Sequence, residues 1–166
     1  MSSSVMVQAE QEVLIKRVFA APRELVFKAW TDPEYLMCWY APRGCTIHFH
    51  TLDLRPGGVF HSCLRTPDGH DCWCAGVYRE IVVPERIVYT LALADEDGNP
   101  TAPDQAGKDQ DWPQETVVTV TFTALGAKET ELVLHQTVSE ALAKRTGAYP
   151  SWLDMLDRLG EELTES

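Results

Sequence analysis

The stretch that decides the fold is TVVTVTFTALGAKETELVLHQTVSEALAKRTGAYPSWLDMLDRLGEEL, from Thr116 to Leu163. Its opening alternates: Val118, Val120 and Phe122 face one way and Val117, Thr119 and Thr121 the other, the period of a half-buried strand. LGAK (125–128) turns the chain, and Glu129 to Val138 repeats the alternation with Leu132 and Leu134. The period then changes. Ser139 can cap a short helix to Arg145, Thr146-Gly147 interrupt it, and Pro150 restarts one. In that terminal helix Trp152, Leu153, Leu156, Leu159 and Leu163 share a face. A hairpin and an amphipathic helix each carry one apolar surface, and the economical solution is for them to bury each other.

Upstream, EVLIKRVFA (12–20) is β-branched and aromatic and reads as a strand ended by Ala21-Pro22. Leu25, Val26, Ala29 and Trp30 then recur at helical spacing up to Thr31, and Asp32-Pro33 cap a second short helix carrying Leu36, Met37, Trp39 and Tyr40. Strands are predicted over Cys45–Arg55, Val59–Arg65, Cys72–Val83 and Ile87–Ala94, separated by Pro56-Gly57-Gly58, by TPDGH (66–70) and by Pro84-Glu85-Arg86. The class is α+β: a curved antiparallel sheet of about six to seven strands on a long C-terminal helix, with two short helices after the first strand. The domain spans 12–164, residues 1–11 forming a disordered or extended tail.

The chain has 166 residues, one domain's worth. Against 14 Lys+Arg stand 25 Asp+Glu, a formal charge of -11, which argues against nucleic acid or an anionic membrane surface as a partner. Over half of that charge sits in DEDGNPTAPDQAGKDQDWPQE (95–115), where seven acidic residues face one lysine; it reads as a long surface loop inserted in the domain. The first ten residues show no basic region followed by an apolar run, and no apolar stretch is long enough for a membrane span. Five cysteines without redox or zinc spacing complete the case for a cytoplasmic setting.

Phosphate loops, nucleophile elbows, dinucleotide fingerprints and zinc-protease motifs are missing from the sequence, so no cofactor is expected and no catalytic residue is assigned. Its unusual constellation is His48, His50, His61, Cys63, Cys72 and Cys74 on neighbouring strands. Two registers of the 66–70 hairpin are open. A two-residue turn sets Cys63 across from Cys74. A longer turn faces Ser62 and Leu64 toward Cys74 and Cys72 and leaves His61 on the other side. The second segregates apolar from charged residues and is preferred, which makes the cysteines small core residues rather than metal ligands.

The run AWTDPEYL (29–36) with Trp39 and Pro42, the turn DLRPGG (53–58), GVYREI (76–81), PERIVY (84–89), TEL (130–132) and the terminal Trp152…Leu156-Asp157-Arg158-Leu159 together resemble the activator-of-heat-shock-ATPase-homologue-like domains, of the START-like, helix-grip (SRPBCC) superfamily. The resemblance covers nearly the whole chain and implies a sheet gripping the terminal helix around an apolar cavity. It implies a binder of a small apolar or aromatic molecule or lipid, lined here by Trp39, Phe60, Ser62, Leu64, Cys74, Tyr78, Val118, Val120, Leu134, Trp152 and Leu156, with the Ser62 and Tyr78 hydroxyls orienting the ligand. Two other readings stand beside it: a chaperone-ATPase regulator, and a cyclase- or hydrolase-type enzyme pairing His50 with Tyr78 or Asp53. Asp53 and Arg55 read as hairpin architecture. Whether the cavity is open or filled, and whether the chain forms a homodimer, stay open.

Overall fold

A computed structural model of the chain describes residues 11–103, 105 and 109–165. The expected tail over 1–11 lies, but for Gln11, outside them. Strands β1 (Glu12–Phe19), β2 (Thr46–Leu52), β3 (Val59–Arg65), β4 (Asp71–Val82), β5 (Arg86–Leu93), β6 (Glu115–Gly126) and β7 (Glu129–Ser139) form one antiparallel sheet in the order β1-β7-β6-β5-β4-β3-β2. Helices α1 (Arg23–Thr31) and α2 (Pro33–Trp39) follow β1, and α3 (Glu140–Thr146) and α4 (Ala148–Glu165) end the chain. Every connection from β2 to β7 joins neighbours, so only β1 travels, crossing back to pair with β7.

The inner face of the sheet is built by the alternation. Val118, Val120, Leu132, Leu134 and, from α4, Leu156 and Leu159 are completely buried. Each such side chain contributes about 1.5–3 kcal/mol when removed from water. The two short helices add aromatic mass: the Trp30 and Trp39 rings meet edge-on at 4.6 Å, and Phe27 meets Phe122 at 5.1 Å. The expected caps form. Asp32 accepts from the Glu34 N–H at 2.9 Å, and Ser139 from the Leu142 N–H at 3.2 Å.

The β3–β4 hairpin takes the second register: Ser62 lies opposite Cys74 and Leu64 opposite Cys72. Its turn is longer than two residues, closed by Thr66 N–H to the His70 carbonyl at 2.8 Å and by His70 N–H to Thr66 Oγ1 at 3.1 Å. Gly76 makes the β4–β5 contact possible, since a Cβ there would sit 1.9 Å from the Thr90 carbonyl oxygen and 2.6 Å from the Phe60 ring.

Two boundaries differ from expectation by more than one residue. The strand predicted over Cys45–Arg55 ends at Leu52, because Asp53 to Gly58 close a turn with Arg55 N–H to the Asp53 carbonyl and Gly58 N–H to the Arg55 carbonyl. There the Arg55 guanidinium donates to the Asp53 carboxylate at 2.7 Å, the architectural role read from the motif. The last helix begins at Ala148 rather than Pro150. A proline in the first turn removes an N–H that has no helical partner anyway, so the helix extends past it.

Candidate functional site

Between the sheet and α4 lies a cleft of about 710 Å³. Its floor comes from alternate residues of adjacent strands: Ile47 of β2, Ser62 and Leu64 of β3, Cys72 and Cys74 of β4, Leu91 and Leu93 of β5. Trp152 and Met155 of α4 form the roof, with the α3–α4 junction at Gly147 beside them. Gly147 has φ +91°, the left-handed conformation that lets two helices turn sharply around the opening.

A buried polar chain crosses one wall. The Trp152 indole N–H donates to Gln136 Oε1 at 2.9 Å, the Gln136 amide donates to Thr116 Oγ1 at 3.0 Å, and Thr116 passes its proton toward the Leu91 carbonyl at 3.4 Å. These bonds satisfy Gln136, which is only 2 % exposed. Ser62, also buried, lines the same cleft.

The acidic insertion reaches the site. Trp112 lines the cleft and packs on the core. Asp109, also in the lining, accepts from the Asp111 N–H at 2.9 Å and from Arg145 of α3 at 3.1 Å. Those two bonds hold its carboxyl below the ordinary carboxylate range. Expected as a surface loop, the segment thus supplies one aromatic wall and an acidic rim completed by Asp154. Among the described residues no Lys, Arg or His lines the cleft. Burial pushes the Cys45 thiol up, so it stays protonated at neutral pH.

Behind the cleft is a second, much smaller space of about 10 Å³, walled by Trp30, Phe60, Tyr78, Tyr89 and neighbouring apolar residues; Tyr40 borders both spaces. The Tyr40 and Tyr89 hydroxyls share a hydrogen bond of 2.6 Å. Burial pushes the phenols of Tyr40, Tyr78 and Tyr89 far above their usual range.

Of the eleven residues predicted to line a cavity, Ser62, Leu64, Cys74 and Trp152 meet in the cleft, and Phe60 and Tyr78 border the small void. Trp39, Val118, Val120, Leu134 and Leu156 line neither space and lie fully buried in the core. Trp39 spends its indole N–H on the Ala29 carbonyl at 2.9 Å. Sequence reading missed Gln136, Trp112 and Tyr40. Gln136 had a signal, since it continues the inward register of Leu132 and Leu134 as a lone amide. Trp112 had one too, as the single aromatic of an acidic loop.

The histidines lie elsewhere. His50 is exposed on the outer face, its ring 5.3 Å from that of His61 and 5.1 Å from that of Trp73. Tyr78 belongs to the inner face and Asp53 is engaged by Arg55, so neither acid–base pair considered from the sequence is assembled. Among the described residues no three His, Cys, Asp or Glu side chains converge as a metal site would require.

A sheet wrapped on its last helix with a cleft between them is the frame in which relatives are found. The family model described as Activator of Hsp90 ATPase homolog 1-like protein matches residues 20–164. The chain belongs to this family. Similar family-sized structures are a Chromobacterium violaceum protein (25 % identity, TM-score 0.74, covering 92 % of this chain and 97 % of that one) and the AHSA1 protein of Silicibacter pomeroyi (20 % identity, TM-score 0.73, covering 93 % and 98 %). A protein of Arthrobacter aurescens is similar too (21 % identity, TM-score 0.78, covering 92 % and 86 %). No curated protein matches the chain in sequence. Among the described residues no helix is long and apolar enough to cross a membrane.

Proposed function

We propose that this member of the family binds a small apolar or aromatic molecule in the cleft between the sheet and α4, acting in the cytoplasm. The observation that carries the reading is the cleft itself. Its volume of about 710 Å³ falls within the ~300–1,000 Å³ of small-molecule sites, and its walls are apolar with a few polar points. Trp112, Trp152 and the Leu64, Leu91 and Leu93 side chains supply affinity, while the Ser62 hydroxyl orients the ligand. The acidic rim of Asp109 and Asp154, with no basic residue among the described lining, disfavours anionic ligands such as free fatty acids. A thermal-shift and native-mass-spectrometry screen of neutral polyketides, flavonoids and lipids tests this. A stoichiometric complex with a raised melting temperature supports it; no binder in any class refutes it.

The family description favours a second reading, in which the chain regulates a chaperone ATPase through direct contact. Titration of the protein into a chaperone ATPase assay decides it, an unchanged rate removing the reading.

A further inference from the structure

We propose that the small void behind Tyr40 is the polar seat of the ligand cleft, built to receive a neutral hydrogen-bond acceptor, the carbonyl oxygen of an aromatic ketone or quinone. The inference rests on the cleft being a ligand site and names the chemistry of what enters it. Two donors carry it. The Trp30 indole nitrogen is buried without a partner among the described residues, on a side chain only 3 % exposed. The Tyr78 phenol, on a side chain 6 % exposed, stands on the same wall and is the second. Both residues border the void. An indole N–H left unmatched in an apolar interior is costly, so this void marks a place where an acceptor belongs.

The chemistry of the void selects that acceptor. An indole N–H can only donate, and Tyr78, whose phenol burial keeps protonated, has a proton to give. None of the residues bordering the void carries a charge, so a carboxylate would lose its hydration with no cation to replace it. A space of about 10 Å³ admits one oxygen-sized group and no more. Tyr40 borders both the void and the cleft; its hydrogen bond with Tyr89 spends one proton of that pair, and the pair's remaining O–H stands beside Trp30 and Tyr78 as a donor. The aromatic body of the ligand then lies in the cleft against Trp152 while its oxygen passes Tyr40.

The test uses the fluorescent naphthyl ketone Prodan and its analogue with a propyl group in place of the carbonyl-bearing chain. The unmodified protein is compared with Trp30→Phe and with Tyr78→Phe, which deletes a single oxygen. The ketone is expected to bind about 25-fold tighter than the propyl analogue, the Trp30 and Tyr78 hydrogen bonds each supplying ~5-fold. Each variant lowers that preference, costing more affinity for the ketone than for the propyl analogue, and shifts bound Prodan emission to the blue. Equal affinity for the two probes, or equal losses for both in Tyr78→Phe, overturns the inference and leaves the cleft as a ligand site. Binding of neither probe, with hits from the neutral-ligand screen also lacking, overturns both. A water retained in the void in crystals of the Prodan complex also overturns it.

Discussion

Replacing Gln136 by Leu tests whether the cleft wall is held by its polar chain or merely filled. Leucine has nearly the volume of glutamine, so the change removes two hydrogen bonds without opening a large cavity. It strands the Trp152 N–H, on a side chain 4 % exposed, and deprives Thr116 of its donor. A stranded buried donor costs about 1–3 kcal/mol, partly offset because the amide no longer needs burying. The expected loss is therefore about 2 kcal/mol, or ~4–8 °C in melting temperature for a domain of this size. The control is Trp152→Phe, which removes the N–H that Leu would strand. In that background Gln136→Leu should cost less than ~1 kcal/mol, giving a coupling of at least about 1 kcal/mol between the two positions. Urea denaturation of the four proteins, followed by far-ultraviolet circular dichroism, supplies the cycle. Equal cost of Gln136→Leu in both backgrounds would refute the reasoning, because packing alone would then explain the position.

Gly76→Ala should cost more than about 2 kcal/mol: the Phe60 ring can swing aside, but the Thr90 carbonyl is held in the β4–β5 region and the strands must part. Chemical denaturation measures it, and a loss under ~1 kcal/mol contradicts the geometry. Arg158→Ala should destabilise by about 1–2 kcal/mol, since its guanidinium donates to the carbonyls of Ala41 at 2.5 Å and Cys38 at 2.8 Å and so ties α4 to the end of α2; a neutral result would show those carbonyls content with water. Asp109 has its folded-state pKa depressed, so its contribution is complete above the ordinary carboxylate value and is lost as pH falls through the folded value. Hydrogen-exchange protection of residues 109–114, relative to the intrinsic rate at each pH, should fall on acidification below pH ~4, and Asp109→Asn should remove that dependence; identical acid profiles for the two proteins would reject the assignment. Cys38 is exposed and Cys63 buried, so a disulfide-exchange reagent should modify Cys38 first and Cys63 only on unfolding, which peptide mapping reads directly.

Most of the fold was legible because it rests on local signals. Strand alternation, the glycine turn at 57–58 and the caps at Asp32 and Ser139 are each written in a few adjacent residues and survived intact. Even the β3–β4 register followed from one rule, that Cys72, Cys74, Ser62 and Leu64 share a face while His61 and Arg65 share the other. Boundaries shifted where a turn competed with a strand, as at Asp53, or where a first-turn proline was tolerated inside a helix, as at Pro150.

The site was legible only in part, and the division has a cause. Inward-facing positions can be named from period alone, which is why Ser62, Leu64, Cys74 and Trp152 were found. Periodicity does not say which inward residues touch other side chains and which touch empty space; Val118, Val120, Leu134 and Leu156 are as inward as Ser62 but are fully buried in the core. That depends on the curvature of the sheet and on how far α4 and the insertion reach, both long-range outcomes of packing. The amino-acid sequence by itself determined the sheet, its helix and which face of each strand looks inward, because those follow from spacing along one segment. Tertiary structure alone decided that a cleft remains open, that Trp112 closes one side of it, and that the unpartnered Trp30 indole and the Tyr78 hydroxyl, from distant segments, border one small void, because distances between segments remote in sequence are set only when the whole core packs.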